Sequence, residues 1–280
     1  MNDIKSQYKI IAKENVDKCP ICLFEGQTFL FKDFEGTKFV SCQKCDLVFQ
    51  NPRHELSYNK DYWGQIIDLD GTKRDLISER NSKIKHLYSD DIKYIENLPG
   101  GKILDAGCRF GFFLSAFSDK WDKYGLELSK YCIDNLVQMF PEFTVKNQIV
   151  EDSPFYPDQF DVIYSFHVIE HVLNPIKHIK SLHQMLVNGG TLFISTPNIN
   201  SFAARRFKGN YRLLGLPHLV LFSAVTLSRL LTQSGFKIQQ IRYPFFRTPY
   251  FTVKNLYRLL NVNKISPPFY GNFMTFYALK

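Results

Sequence analysis

Apolar residues in this chain come in short runs, and several of the runs end at glycine before a segment with helical spacing. The clearest case is Lys102-Ile103-Leu104-Asp105-Ala106-Gly107, after which Gly111 opens a segment carrying Phe112, Phe113, Leu114 and Phe117. That pattern predicts a strand, a tight glycine turn and a helix. A short strand follows at Tyr124 to Leu128, a helix at Asp134 to Phe140 and a third strand at Phe143 to Val145. Phe160 to Phe166 predicts a fourth strand, with a helix starting at His167 that would set His167 and His171 on one face beside Glu170. Gly189-Gly190 turns into a fifth strand reaching Asn198, and Ser223 caps a helix that runs to Ser234-Gly235. Lys237 to Phe245 gives a sixth strand, and Asn272 to Lys280 a seventh, read as an alternating, aromatic-rich edge strand. Alternation of strand and helix implies an α/β fold with a Rossmann-like, mostly parallel sheet.

The N-terminal part follows another pattern. Cys19-x2-Cys22 and Cys42-x2-Cys45 flank two short strands, Thr28 to Phe31 and Lys38 to Val40. Two close cysteine pairs can surround one zinc ion tetrahedrally, and four sulfur ligands leave no open position for chemistry. Residues 1–55 are therefore read as a structural zinc ribbon, 56–98 as a charged helical lead-in and 99–280 as the main domain. Within the last, 199–222 is loop-like and basic, and 246–270 is a basic, aromatic insertion. Cys108 and Cys132 fall outside the cysteine pairs and are read as buried thiols.

The glycine turn sits at the carboxyl end of its strand, where backbone approaches ligands closely and a following helix offers free N–H groups. Gly107-Cys108-Arg109-Phe110-Gly111 keeps only the outer glycines of the dinucleotide fingerprint, and no Gly-Lys-Ser/Thr is present for a P-loop. Glu127, about twenty residues after the turn, ends the second strand where a carboxylate can accept both ribose hydroxyls. Its spacing alone suits NAD equally well.

The turn resembles motif I of class I S-adenosylmethionine-dependent methyltransferases, in which Asp105, Gly107, Cys108 and Gly111 match and Arg109 stands where glycine is usual. Phe160-Asp161-Val162-Ile163 with His167-Val168-Ile169-Glu170-His171, and the run Leu186 to Asn198, resemble further blocks of small-molecule and sugar methyltransferases. The likeness spans about residues 19 to 280. It implies a seven-stranded sheet of order 3-2-1-4-5-7-6, with 199–222 and 246–270 on the acceptor side. S-adenosylmethionine would be held by Asp105, Gly107, Cys108, Arg109, Gly111, Glu127, Leu128, Val150, Ser165 and Phe166. The activity implied is O-methylation of a sugar, a polysaccharide precursor or another polar biosynthetic intermediate. His167, His171 and His218 are the candidate bases. Related ubiquinone-pathway enzymes carry Glu where this chain has His167, and the likeness to them suggests Mg2+ near Glu170 and His171. Arg80 and Lys83 are candidates for the methionine carboxylate, beside a plain solvated helix face. The bare His-x-x-Glu-His pattern also reads as an inverted zincin, which the surrounding frame disfavours.

Composition adds a charge split. All 27 acidic residues lie in residues 1–170 with 21 basic ones, whereas residues 171–280 carry 14 basic residues and no acid. The C-terminal part is thus expected to face something anionic, such as an acidic or phosphorylated sugar, a membrane surface or nucleic acid, unless it is simply a solvated basic face. No apolar run reaches the roughly 18 residues of a membrane helix, and the N-terminus is too polar for a signal peptide. A cytoplasmic protein is expected, with peripheral contact at the inner membrane as a further option. Two rival functions stay open: an RNA methyltransferase gripping phosphates with the ribbon and the basic region, and a non-catalytic assembly partner in which Arg109 marks a degenerate site.

Overall fold

The computed structural model describes residues 8–58, 65–67, 73–75, 77, 88–246 and 251–280. Its first part contains β1 (Tyr8–Glu14), β2 (Gln27–Lys32), β3 (Lys38–Cys42), β4 (Val48–Gln50) and β5 (Arg53–Tyr58), followed by β6 (Gln65–Ile67) and β7 (Lys73–Asp75). Then come α1 (Ser89–Glu96), β8 (Gly101–Ala106), β9 (Trp121–Leu126), α2 (Lys130–Met139), β10 (Thr144–Lys146) and β11 (Phe160–Phe166). The remainder holds α3 (Pro175–Met185), β12 (Leu186–Pro197), α4 (Phe202–Phe207), β13 (Val220–Leu221), α5 (Ala224–Gln233), β14 (Lys237–Arg242), α6 (Val253–Arg258) and β15 (Phe273–Leu279).

The main sheet has seven strands in the order β10-β9-β8-β11-β12-β15-β14. Numbered from β8, this is the expected 3-2-1-4-5-7-6 order. The first five strands pair in parallel and β15 runs antiparallel to both β12 and β14. Ile103, Leu104, Ile163, Leu192 and Ile194 are fully buried, as central strands covered on both faces require. Local signals place the helices: Ser129 caps α2, Asn174 caps α3 with Pro175 in its first turn, and Ser223 with Thr226 forms a capping box on α5.

Four readings change. β15 is interior, as the expected order places it, and not the edge strand its alternation suggested, because β14 pairs on its outer side; its middle residues are buried on both faces. The helix expected after Gly111 shrinks to one 3-10 turn, Leu114–Ala116. The connection to β9 is short, and Ser118 is held by Glu96, which accepts from its N–H and Oγ at 2.8 and 2.9 Å. His167 is not helical: its φ is +55°, only a 3-10 turn covers Ile169–His171, and α3 waits until Pro175. The shared-face argument for His167 and His171 therefore fails. Finally, β6 and β7 occupy part of the expected 56–98 helical lead-in, in which α1 is the helix given by the described residues; Arg80 and Lys83 lie outside the described residues. The 199–222 segment holds α4, capped by Ser201, as well as loop.

The ribbon is stitched to the main domain. Its sheet has the order β13-β4-β3-β2, so Val220 and Leu221 of the C-terminal half pair antiparallel with Phe49 and Val48. Among the described residues no helix is long and apolar enough to cross a membrane.

Candidate active site

The glycine turn after β8 faces the end of β11. Gly107 has φ +95°, and a Cβ there would lie 2.5 Å from Val168 Cγ2, so the turn and the His-Val-Ile-Glu-His segment touch where only glycine fits. Arg109 adopts φ +46°, the left-handed conformation that glycine usually supplies at this position. Its N–H donates to Glu127 Oε2 at 2.9 Å, and Ser129 N–H donates to Oε1 at 2.7 Å. Glu127 thereby ties the turn to the end of β9, and each of its oxygens keeps a second lone pair for a ligand. Asp105 is buried beside it; burial first, and then the Glu127 charge, push its carboxyl up to about 8.

Ser165, the next-to-last residue of β11, is fully buried, and its Oγ has no hydrogen-bond partner among the described residues. An orphaned buried hydroxyl at this place fits a bound ligand. Phe166 follows, with Tyr88 edge-on to it at 4.4 Å, so the chain just before α1 covers the site. The other positions expected at the cofactor are less central: Leu128 is exposed at the rim, Cys108 is buried behind the turn against Gly125, and Val150 belongs to the apolar core.

On the opposite wall, Glu170 is fully buried and forms the hub. Its Oε1 lies 2.7 Å from His167 Nδ1, and Thr196 Oγ1 donates to Oε2 at 2.9 Å. Burial alone would raise its pKa, but the charge and hydrogen bond of His167, then the charges of His171 and His218, hold it at about 2. An ionised carboxylate only accepts, so Nδ1 of His167 carries a proton and Nε2 is the ring nitrogen turned away from Glu170. The His167 ring packs edge-on against Phe166 and Phe273 at 4.3 and 4.7 Å and remains partly exposed.

His171 and His218 stand 4.8 Å apart, ring centre to ring centre. Their Nδ1 atoms lie 2.7 Å from the carbonyls of Pro217 and Leu213, which fixes both as Nδ1–H tautomers. Burial lowers both, His218 to about 4, so both are neutral near pH 7. Glu170, His171 and His218 bring ligand atoms within 4.8 Å of one another. That set offers two imidazoles and a carboxylate already engaged by His167 and Thr196. Magnesium prefers oxygen donors and does not fit it.

Gln50, which the sequence reading passed over, holds this wall. It is fully buried at the end of β4, and its two Nε2 N–H donors are shared among the carbonyls of Gly215, Leu216 and His218, which lie at 3.2, 2.9 and 2.9 Å. The backbone N–H of Gln50 donates to Leu219 O, and Leu219 N–H donates to Glu170 O. The ribbon thus fixes the loop whose carbonyls orient His171 and His218.

In the ribbon, Cys19 Sγ lies 3.5 Å from Cys45 Sγ, and Cys22 Sγ 3.4 Å from Cys42 Sγ, with all four sulfurs clustered. A ZnS4 tetrahedron with bonds of about 2.3 Å has edges of about 3.8 Å, close to these values. The two knuckles match in backbone as well. Leu23 and Asp46 have φ +58° and +61°, and their N–H groups donate to Cys19 O and Cys42 O, both at 3.0 Å. The four cysteines fit a zinc ribbon.

Known proteins supply the family context. The profile described as a methyltransferase domain matches residues 80–241. An S-adenosylmethionine-dependent methyltransferase of Mycolicibacterium smegmatis is 25% identical over 50% of this chain and 53% of its own length. A ubiquinone biosynthesis O-methyltransferase of Pseudomonas syringae pv. tomato is 30% identical over 44% of this chain and 58% of its own length. The chain thus spans little more than half the length of these curated relatives. Among solved structures, an S-adenosylmethionine-dependent methyltransferase of Thermotoga maritima superposes with a TM-score of 0.53 at 21% identity, over 73% of this chain and 92% of that one, a likeness of fold.

Proposed function

Because the chain belongs to the methyltransferase-domain family, we propose that it methylates an oxygen of a polar acceptor, a sugar or a related biosynthetic intermediate, using S-adenosylmethionine. The observation that carries this reading is the His167–Glu170 pair beside the glycine turn. Asp105, Gly107, Arg109 N–H and Gly111 shape the cofactor end, Glu127 takes the ribose hydroxyls, and Ser165 and Phe166 line the donor side. Bound S-adenosylmethionine supplies a methyl group activated on a sulfonium. His167 Nε2 accepts the proton of the acceptor hydroxyl, and Glu170 steadies the imidazolium that forms. Phe166 and Phe273 keep water from the base. His171 and His218, neutral and anchored through Nδ1, serve the acceptor as Nε2 hydrogen-bond acceptors. The four ribbon cysteines hold one Zn2+, which braces β4 and, through Gln50, the acceptor wall.

The test is methyl transfer from labelled S-adenosylmethionine to a panel of nucleotide sugars, free glycans and other polar hydroxy compounds, by the wild type and by His167→Ala. Transfer that falls at least about 100-fold in the variant, with cofactor affinity kept, supports the assignment. Equal turnover by His167→Ala removes His167 as the base.

A further inference from the structure

The insertion between β14 and β15 has two apolar sides, and only one is covered. On its inner side, Leu259 and Phe269 pack against the cluster around α4, Arg206 Nε donates to Leu259 O at 2.9 Å, and Asn210 Nδ2 donates to Val262 O at 3.1 Å. On its outer side, Val253, Leu256, Tyr257 and Leu260 are 68, 40, 70 and 73% exposed. Their spacing is i, i+3, i+4, i+7, so α6 and the turn that follows it aim one continuous apolar stripe at solvent. Phe246 and Phe251, 63 and 49% exposed and 5.4 Å apart ring to ring, extend the stripe at its N-terminal end. Scattered apolar residues need no explanation, but a contiguous patch of this kind marks an interaction surface.

Charge says what covers it. Lys254 and Lys264 are exposed beside the stripe, Arg205 and Arg206 are exposed on the neighbouring α4, and residues 171–280 contain no acid at all. A second copy of the chain docked on the same face would bring these cations together. An aliphatic stripe flanked by lysine and arginine is instead the composition of a segment lying in the interface of an anionic bilayer. Nucleic acid would match the charge but gives Val253, Leu256 and Leu260 nothing to bury against. From these observations we infer that Phe246 and residues 251–264, with the outer face of α4, form a docking surface for an anionic lipid membrane. The inference does not depend on methyl transfer. The same insertion leads into Phe273, which packs on His167, so a docked molecule would sit on the membrane by its acceptor side.

The test is flotation of the full chain with vesicles of phosphatidylcholine alone and with 30% phosphatidylglycerol (about, by mole), across a salt series. Binding at least about tenfold stronger to the anionic vesicles, weakening with salt, is expected. Leu256→Glu with Leu260→Glu should lose that binding while the melting temperature and, if the proposed activity is found, turnover of a water-soluble acceptor stay unchanged. Lys254→Glu should weaken it in part. Absence of binding to anionic vesicles at low salt, or binding that survives the double substitution, overturns the inference. So does tight binding to polyuridylate that persists in the double variant while vesicles fail to compete.

Discussion

His167 Nδ1 and Glu170 Oε1 meet at 2.7 Å although His167 sits at φ +55° and the two residues share no α-helix. The strained backbone at the end of β11 is what swings the imidazole back over the carboxylate, and strain of this kind persists only where surrounding contacts over-determine it. Here those contacts are Thr196 on the far carboxylate oxygen and Phe166 and Phe273 on the ring. Glu170→Gln keeps the size of the side chain but removes the charge that stabilises a protonated His167. Its turnover is expected to fall by about 100-fold or more with KM for the cofactor nearly unchanged. Steady-state kinetics on the acceptor found in the screen checks the split between the two constants.

Gly107→Ala places a methyl group 2.5 Å from Val168 Cγ2 at a backbone φ of +95°. The variant is expected to lose about 2–4 kcal/mol of stability and most cofactor affinity. Adding Val168→Ala should recover the steric part and leave the backbone strain. A double-mutant cycle by urea denaturation measures that recovery, and strictly additive losses would contradict the contact.

Gln50→Leu removes the amide whose two N–H groups are shared among the Gly215, Leu216 and His218 carbonyls of the 215–218 loop, and puts an apolar side chain of similar size in its place. Stability should drop by about 2–4 kcal/mol, since three carbonyls lose a donor. The loss of turnover should exceed any loss of cofactor binding, because the loop orients His171 and His218 rather than the glycine turn. Calorimetry with the cofactor alongside turnover separates the two effects.

Zinc removal should act at the same wall. Stripping the metal with a chelator is expected to unfold the two knuckles, expose the four ribbon thiols to a thiol reagent and lower the melting temperature. Cys22→Ser should reproduce the loss at stoichiometric zinc. A metal content near zero in freshly purified, active protein would contradict the assignment.

Stability should peak near pH 6.5. His218 is held at about 4 in the folded chain against an ordinary 6.5, and burial lowers His171 as well, so below 6.5 the unfolded chain binds the extra protons and stability falls as pH drops. Glu170, at about 2 against 4.5, extends that loss below pH 4.5. Asp105 works the other way: held at about 8 against 3.8, it keeps its proton in the folded state across that window. Its contribution offsets part of the histidine slope below pH 6.5. Between 6.5 and 8 it acts alone, and stability declines by up to about 1.4 kcal/mol per pH unit. Urea midpoints from pH 3 to 9 test this, and Asp105→Asn should flatten the alkaline limb.

The ribbon and the glycine turn were legible because each is written in contiguous residues, two Cys-x2-Cys pairs and an apolar run ending at Asp105 and Gly107, whereas the sheet order followed from the family resemblance that such blocks carry. Glu127, proposed to take the ribose hydroxyls, stood out from contiguous residues as well, and the structure shows its carboxylate tying the glycine turn to the end of β9. What escaped the sequence depends on long-range contacts. Gln50 reaches His218 across 168 positions, a connection no local pattern encodes. The geometry of His167 was misread because helical spacing assumed a helix that its positive φ forbids. β15 was read as an edge because alternation cannot reveal that β14 folds back outside it.

The most direct test of the account is calorimetric titration of the zinc-loaded protein with S-adenosylmethionine, repeated with Asp105→Ala and Glu127→Ala. The account predicts micromolar binding in the wild type that both variants weaken by at least about tenfold. No binding in the wild type, or binding indifferent to both substitutions, would contradict a cofactor site at the glycine turn and leave Arg109 as the mark of a domain that has lost it.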